Sequence, residues 1–234
     1  MTRRLAIVGM GKMGKAIDEL APSRGWNVVA RLDQPQMAAG ITRAALGDAD
    51  VAVEFTTPES APSNIRAIVA TGCPVVVGTT GWYDHLDTIR RDVNSQNGAM
   101  LTATNFSIGV NIFERVAALA ARLLAHAGGF EAHIVETHHS AKKDAPSGTA
   151  RTLANTASTA WGNEIPTTSV RVGSYPGTHE FIFDAPFETI HLEHIARDRR
   201  VFAGGALAAA AWLMGRRGVF TMRDVLTTSA DNDQ

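Results

Sequence analysis

The sequence predicts an α/β fold with two domains, a parallel-sheet domain followed by a smaller α+β domain with a mixed sheet. In the first half, short apolar runs such as 5–8 alternate with segments of helical spacing, which is the pattern of parallel βαβ units. In the second half, strand-like segments follow one another across tight turns at 175–177 and 185–186, which favours antiparallel or mixed pairing. The length of 234 residues suffices for two such domains.

The first half is predicted to alternate strand and helix throughout. The first strand, 5–8, is continuously apolar, as expected when helices cover both faces of a sheet. The predicted strands are 5–8, 28–32, 51–55, 74–77 and 99–103. The predicted helices are a stretch through Ile17 and Leu20, then 60–70 and 84–93.

The second half changes to longer helices and consecutive strands. Its predicted helices are 109–127, 147–161 and 201–213, and its predicted strands are 131–137, 169–173, 179–183 and 188–193. A small turn is predicted at 215–218. We therefore assign residues 1–106 to the first domain, which the segment 207–234 completes, and residues 107–206 to the second domain.

Composition and charge exclude several classes of protein. The 22 Lys and Arg residues nearly balance 23 Asp and Glu residues, so the chain lacks the basic excess typical of nucleic-acid-binding and membrane-surface proteins. No run of about 18 apolar residues predicts a transmembrane helix. A single cysteine, Cys73, excludes an internal disulfide framework. We expect a cytoplasmic protein with no nucleic-acid or membrane partner.

A glycine motif predicts dinucleotide binding. Gly9, Gly11 and Gly14 form G-x-G-x-x-G between a buried strand and a helix, the context in which this motif binds a pyrophosphate. Asp33 ends the next predicted strand, about 20 residues after Gly14, where an acidic residue binds the ribose hydroxyls of NAD. These features predict a Rossmann-type domain; a plain glycine turn is the alternative.

The residues around this motif bear on the choice of cofactor. The carboxylate of Asp33 repels the 2′-phosphate of NADP, which favours NADH. Lys12 and Arg31 offset part of that repulsion, so NADPH is the second candidate. Two further strand ends, at 78–80 and 103–106, lie at the carboxyl edge of the predicted sheet, where ligands bind in open α/β folds. Ordinary βα loops are the alternative for these two segments.

The densest group of polar side chains lies at 136–149, which reads ETHHSAKKDAPSGT and runs into a predicted helix. Imidazole and ammonium groups donate protons, and a helix N-terminus binds anions. With His138, His139 and Lys142 beside that N-terminus, the segment predicts a pocket for a small polycarboxylate. On spacing alone, a solvated polar loop is an equal alternative.

A zinc site is a further alternative on residue type. Strand alternation does not place all of its candidate ligands on one face, so we expect no metal. Those candidate ligands are His133, Glu136, His138 and His139. The other histidines, expected to be structural, include His179, His191 and His194. Glu54 lies inside an apolar strand, and the sequence assigns it no role.

The segment from Glu136 to Ala150 resembles the signature of the 4-hydroxy-tetrahydrodipicolinate reductase family, formerly called dihydrodipicolinate reductase, which acts in the diaminopimelate route to lysine. Here it reads E-x-H-H-x-x-K-x-D-A-P-S-G-T-A. The resemblance extends over nearly the whole chain. It includes the glycine motif, GTTG at 78–81, NFSxGxN at 105–111, FAxGA at 202–206 and MRDVL at 222–226.

The resemblance implies a role for each matching residue. His138 matches the proton donor or acceptor of the family, and Lys142 its proton-donating lysine. The implied contacts with the carboxylates of the substrate are His139, Gly148 and Thr149. The implied contacts with the nucleotide are Gly9, Met10, Gly11, Lys12, Met13, Gly14, Asp33, Gly78, Thr79, Thr80, Ala103, Thr104, Asn105 and Phe106. Arg199 aligns with a late arginine of the family and has no assigned role.

The resemblance also implies an NAD(P)H-dependent reductase of a small dicarboxylate, with a second domain that binds substrate and builds a homotetramer. The chain departs from the family in two places. It is shorter than many members between the second and third strands, and Gln34 follows Asp33 where some members carry an arginine. Both departures bear on the choice between NADH and NADPH. Another small Rossmann reductase and an NAD(P) sensor without turnover are the alternative functions.

Overall fold

The computed structural model describes residues 2–227, and the chain divides into two compact units. The first unit comprises the residues up to Ile108 and those from Arg200 onward, and the second is Gly109–Arg199. The strands are β1 (Arg3–Val8), β2 (Trp26–Leu32), β3 (Val51–Glu54), β4 (Val75–Val77), β5 (Ala99–Thr102), β6 (Glu131–His138), β7 (Thr167–Arg171), β8 (Thr178–Ala185), β9 (Glu188–Ile195) and β10 (Gly218–Phe220). The helices are α1 (Lys12–Leu20), α2 (Gln34–Ala38), α3 (Ala61–Ala70), α4 (Leu86–Ser95), α5 (Ile108–Ala127), α6 (Gly148–Trp161), α7 (Arg200–Leu213) and α8 (Met222–Leu226).

The first unit is built on a six-stranded parallel sheet in the order β10-β5-β4-β3-β1-β2. Successive residues of its strands face opposite sides. Leu5 and Ile7 of β1 pack with residues of α1 and α7, whereas Ala6 and Val8 pack with residues of α3 and α4. Because both sides are covered, the central strands β3 and β4 and the second half of β1 are largely apolar, as the sequence predicts. The α/β fold with a Rossmann-type sheet is confirmed.

The structure adds a sixth strand where the sequence analysis places a turn. Gly218 opens β10, which pairs in parallel with β5. With three residues, β10 is too short to give a periodic pattern of apolar side chains. The five-residue helices α2 and α8 escape sequence analysis for the same reason.

The boundary between the units lies before α7, whereas the sequence analysis continues the second domain to residue 206. Ala203 and Ala206 of α7 pack in the same core as Leu5 and Ile7 of β1. A rigid helix packs as one body, so all of α7 belongs with the parallel sheet. The predicted completing segment extends to residue 234, and its part 228–234 lies outside the described residues.

The second unit contains a separate four-stranded mixed sheet in the order β7-β6-β8-β9. Strand β6 pairs in parallel with β7 and antiparallel with β8, which pairs antiparallel with β9. Phe181 and Phe183 of β8 pack with Ala117 of α5 and Leu153 of α6 in one core. The predicted mixed sheet is therefore confirmed. Among residues 2–227, no helix combines the length and apolar character that a membrane crossing needs.

Two adjacent glycines of α7 give a test of this packing. A Cβ at Gly205 would lie 1.6 Å from the carbonyl oxygen of Phe106, whereas a Cβ at Gly204 would lie 3.8 Å from its nearest neighbour, the side chain of Leu20. We expect Gly205→Ala to lower the free energy of unfolding by about 1–3 kcal/mol or more. Gly204→Ala, the matched control, should raise it by up to about 1 kcal/mol through helix propensity. Urea unfolding measures both, and equal stability of the two variants would contradict the packing.

Candidate active site

The glycine motif occupies the turn from β1 into α1. Gly9 has a φ of +98°, and a Cβ there would lie 2.2 Å from the carbonyl oxygen of Phe55. A Cβ at Gly14 would lie 2.0 Å from the carbonyl oxygen of Gly9, whereas one at Gly11 would meet no atom within 4 Å. Gly9 and Gly14 are therefore required by the fold. Gly11 borders open space at the N-terminus of α1, where no side chain caps the first turn.

The other residues of the motif differ in exposure. Lys12 is exposed, and Met10 and Met13 pack partly against the core of the sheet. Asp33 is exposed at the end of β2, where it caps α2 by accepting a hydrogen bond of 3.1 Å from the backbone N–H of Gln34. Arg31 donates two hydrogen bonds, of 2.6 and 2.7 Å, to the carboxylate of Asp18. Its charge is therefore matched within the protein.

The predicted nucleotide segments at 78–80 and 103–106 lie at the carboxyl ends of β4 and β5. A Cβ at Gly78 would lie 2.0 Å from the ring of Phe55, so a larger residue there would displace that ring. The rings of Phe55 and Phe106 are 5.9 Å apart. Thr79 is buried, and its hydroxyl accepts a 2.7 Å hydrogen bond from the backbone N–H of Thr56. The ends of β3, β4 and β5 are thus packed together at one edge of the sheet.

The remaining predicted residues of these segments line the same edge. Thr80 and Thr104 are exposed, and Ala103 and Asn105 are half-buried. Asn105 accepts a hydrogen bond of 2.8 Å from the backbone N–H of Ser107. The first unit therefore brings the glycine motif, Asp33 and both segments to the carboxyl ends of its strands.

Glu54 lies at the same edge and is fully buried as the last residue of β3. It accepts a hydrogen bond from the hydroxyl of Thr56, and the amide of Asn64 lies 3.5 Å from the same carboxylate oxygen. Burial raises the pKa of Glu54 above its ordinary value. The sequence analysis assigns Glu54 no partner. In the structure, contacts with Asn64 and Thr79 connect β3 to α3 and to the loop after β4.

The polar cluster of the second unit starts from strand β6. Residues 136 and 138 lie on one face of the strand because side chains alternate, and both Glu136 and His138 are buried. One carboxylate oxygen of Glu136 lies against Nδ1 of His138. Its other oxygen accepts a 2.6 Å hydrogen bond from Arg171. Burial lowers the pKa of His138, and the positive charges of Lys142 and Arg171 lower it further against the opposing effect of Glu136.

Lys142 lies in the loop that follows β6. Its Nζ is 2.8 Å from the carboxylate of Asp144, and this contact lowers the pKa of Asp144. His139 is half-buried, and its carbonyl oxygen accepts a 3.0 Å hydrogen bond from the backbone N–H of Lys142. Lys142 keeps about a quarter of its side chain exposed, at 23%. The ammonium group is therefore accessible to a ligand, whereas the carboxylate of Glu136 is not.

Helix α6 begins directly after this loop. Ser147 caps it by accepting a 3.1 Å hydrogen bond from the backbone N–H of Ala150, a role that serine often takes at a helix N-terminus. Gly148 is exposed in the first turn and Thr149 is half-buried. The backbone N–H of Ser147 lies 3.3 Å from the carboxylate of Glu136. The helix N-terminus and the His138 cluster are thus parts of one site.

Two residues of this site are not assigned to it by the sequence analysis. Arg171 lies opposite His138 in the parallel register of β6 and β7, and His179 lies opposite Glu136 in the antiparallel register of β6 and β8. His179 is buried, and its ring meets that of His138 edge-on at 5.2 Å. Burial lowers the pKa of His179 to about 4. Strand register is the missing signal, because alternation along β6 does not reveal which residues lie across from it.

Only some of the candidate zinc ligands lie close to one another. His133 hydrogen-bonds to the hydroxyl of Thr168 at 2.8 Å. Ligand atoms of Glu136, His138 and His179 lie within 4.8 Å of one another, so His179, a buried strand residue as the sequence predicts, also adjoins His138. The guanidinium of Arg171 already balances the charge of the Glu136 carboxylate. Arg199, the last residue of the second unit, is exposed.

Comparison with known proteins identifies the family. The protein-family model described as dihydrodipicolinate reductase, N-terminus, matches residues 3–106. The family model described as dihydrodipicolinate reductase, C-terminus, matches residues 109–226. The chain belongs to the dihydrodipicolinate reductase family. The resemblance seen in the sequence is therefore confirmed, and the two matched regions together contain the glycine motif and the cluster around His138.

Individual relatives of this family match nearly the full chain. The 4-hydroxy-tetrahydrodipicolinate reductase of Christiangramia forsetii is 35% identical, over 95% of this chain and 97% of the relative. That of Thiobacillus denitrificans is 36% identical, over 97% of this chain and 99% of the relative. The dihydrodipicolinate reductase structure from Paenisporosarcina sp. TG-14 shares the fold, with a TM-score of 0.78 at 22% identity over 94% of this chain and 98% of that chain.

The buried carboxyl group of Glu54 predicts a pH-dependent stability. The pKa of Glu54 is raised in the folded state above its ordinary value of 4.5. Above that pH the carboxyl group ionises more readily in the unfolded chain, so this group lowers the free energy of unfolding as the pH rises. We expect Glu54→Gln to raise the thermal midpoint at pH 8, by about 2–4 °C for each kcal/mol of ionisation cost removed, and to leave it nearly unchanged at pH 4. Glu19→Gln, at an exposed carboxyl group of α1, should change neither midpoint. If Glu54→Gln shifts the thermal midpoint by the same amount at pH 8 as at pH 4, the prediction is wrong.

Proposed function

We propose that the chain reduces 4-hydroxy-tetrahydrodipicolinate to tetrahydrodipicolinate with NAD(P)H, as an oxidoreductase of the diaminopimelate route to lysine. The family membership of both halves of the chain supports this reaction, and the two relatives described above are named for it. The observation that carries the proposal is the arrangement in the second unit. A buried imidazole and a partly exposed ammonium group adjoin the N-terminus of α6, which suits the protonation of an anionic substrate.

The first unit fits the cofactor that the family implies. The open space at Gly11 and the uncapped first turn of α1 suit a pyrophosphate. We propose that the motif from Gly9 to Gly14 holds the pyrophosphate and that Asp33 holds the adenosine ribose. The proposed contacts on the nicotinamide side are Gly78, Thr79, Thr80, Ala103, Thr104, Asn105 and Phe106. When bound, NAD(P)H supplies a hydride from its nicotinamide ring.

NADH is the proposed preferred cofactor, with NADPH as the second. The exposed carboxylate of Asp33 repels a 2′-phosphate. Arg31, the cation that would offset this repulsion, is already paired with Asp18 at 2.6 Å. Lys12 is exposed at the start of α1 and supplies the remaining positive charge near the motif.

The second unit is proposed to hold the substrate through its carboxylates. Gly148 and Thr149 lie in the first turn of α6, where backbone dipoles favour a negative charge, and His139 directly follows β6. The related reductase from Paenisporosarcina sp. TG-14 is described with dipicolinate bound, which supports a small cyclic dicarboxylate as the ligand. We place its carboxylates at these three residues.

Protonation completes the reduction. Loss of the 4-hydroxyl group as water creates a conjugated double bond, which accepts a hydride at one end and a proton at the other. We propose that Lys142 donates this proton and that His138 exchanges protons in the same site. A positioned acid of this kind contributes about 10²–10⁴-fold to the rate. The cationic groups also stabilise the negative charge that develops on the substrate.

We further propose a cytoplasmic homotetramer built through the second unit. Helix α5 carries a row of exposed apolar side chains at helical spacing, which is typical of a surface covered by another subunit. Its members are Ile112, Val116, Leu119 and Leu123. Phe187, at the turn between β8 and β9, is fully exposed. These residues support an oligomer built through the second unit.

A lysine pair gives a matched test of the proposed reaction. We expect Lys142→Ala to lower kcat by about 10²–10⁴-fold without changing the dissociation constant of NADH, because Lys142 belongs to the second unit. Lys143→Ala removes the same charge from the adjacent, exposed position and should keep normal turnover. The assay follows NADH or NADPH oxidation on substrate freshly formed from aspartate semialdehyde and pyruvate. Absence of turnover in the unmodified protein, or near-normal turnover in Lys142→Ala, would reject the proposal.

A further inference from the structure

The contact between Glu136 and His138 determines which ring nitrogen of the histidine is reactive. We infer that Glu136 is a positioning residue that keeps the proton of neutral His138 on Nδ1 and leaves Nε2 as the nitrogen that exchanges protons. The inference rests on the proposed role of His138 in the reaction. It adds Glu136 and Arg171 to the residues on which that reaction depends.

Glu136 is held as an acceptor by its surroundings. Its side chain has no exposed surface, and one carboxylate oxygen accepts a 2.6 Å hydrogen bond from Nη2 of Arg171. The backbone N–H of Ser147 lies 3.3 Å from the same oxygen. Burial alone would raise the pKa of Glu136, but hydrogen bonds from Arg171 and Ser169 and the positive charge of Arg171 hold it below the ordinary value. The group is therefore ionised at neutral pH, and an ionised carboxylate only accepts hydrogen bonds.

The second oxygen of Glu136 adjoins Nδ1 of His138. A carboxylate oxygen this close to the ring repels a nitrogen lone pair, so Nδ1 carries a proton, although the two atoms lie outside hydrogen-bond geometry. Because the pKa of His138 is lowered by burial and by the charges of Lys142 and Arg171, the neutral ring predominates at neutral pH. A neutral imidazole protonated at Nδ1 has its lone pair at Nε2. The same pairing of a carboxylate with one ring nitrogen orients catalytic histidines generally.

Arg171 connects Glu136 to two backbone segments of the second unit. Its Nη2 also donates a 2.6 Å hydrogen bond to the carbonyl oxygen of Asp144, in the loop that carries Lys142. Its Nη1 donates to the carbonyl oxygen of Val170 at 2.7 Å. The guanidinium thus connects the end of β7, the carboxylate and the loop before α6. Movement of any one of these would move the imidazole.

The surroundings of Nε2 are consistent with this assignment. A Cβ at Gly177 would lie 3.0 Å from Nε2 of His138, so a glycine there keeps this nitrogen uncrowded. His179 approaches the ring of His138 edge-on, and its pKa of about 4 keeps it neutral. Nε2 of His179 lies 3.4 Å from the hydroxyl of Ser147, and this contact directs that ring nitrogen toward the serine.

The inference is tested by ¹⁵N NMR of the full chain labelled at its 8 histidines, with His138→Asn used to assign the signal of His138. We expect the neutral ring to be protonated at Nδ1. In Glu136→Gln, we expect the amide oxygen to keep the hydrogen bond from Arg171, so that the amide NH₂ group faces Nδ1. Nδ1 must then accept a hydrogen bond, and the ring proton moves to Nε2. We expect kcat to fall by at least about 10²-fold with the KM for NADH unchanged. Glu131→Gln, at the exposed start of the same strand, should change neither the tautomer nor kcat.

The outcomes separate this inference from the proposed function. An unmodified protein whose His138 carries its neutral proton on Nε2 overturns the inference, and this spectrum decides it even if Glu136→Gln does not fold. A near-normal kcat in Glu136→Gln beside an inactive His138→Asn also overturns it and leaves the proposed function standing. A near-normal kcat in His138→Asn instead removes the proposed role of His138. A tautomer that changes only in Glu136→Gln, together with the loss of kcat, supports the inference.

Discussion

A carboxylate without exposed surface, Glu136, is the group on which the geometry of the second unit's site depends. A buried charge of this kind is costly unless it is paired and hydrogen-bonded. Arg171 supplies the opposing charge at 2.6 Å, and His138 occupies the other oxygen. The strand ends, the loop with Lys142 and the start of α6 are therefore held in one arrangement. Removal of Arg171 would leave the buried carboxylate without an opposing charge, so the site and the local fold are difficult to change independently.

Much of the first unit follows from the sequence because each signal is local. Continuous apolar runs predict strands covered on both faces, and the spacing of Gly9, Gly11 and Gly14 places a turn between strand and helix. The structure gives physical reasons for two of these glycines, since a Cβ at Gly9 or Gly14 would overlap a backbone oxygen. Strand β10 and the boundary before α7 do not follow from local patterns. The first is too short for periodicity, and the second depends on packing against the distant strand β1.

The candidate active site is predicted only in part for a related reason. His138, His139 and Lys142 lie within five residues of one another in the sequence, so their pattern is visible without a structure. Arg171 and His179 come from strands that lie on either side of β6, and their proximity depends on register. The polar network of Glu54 likewise joins residues from β3, α3 and the loop after β4. Long-range pairing, which a single sequence does not specify, accounts for each of these omissions.

The most direct test is a crystal structure of the full chain with NADH and dipicolinate, an unreactive cyclic dicarboxylate. The account predicts that Nζ of Lys142 and Nε2 of His138 both lie within hydrogen-bond reach of the bound heterocycle, about 2.6–3.2 Å or through one water. It also predicts a carboxylate of the ligand at the first turn of α6. A complex in which the heterocycle binds elsewhere, with both side chains turned away from it, would contradict the account.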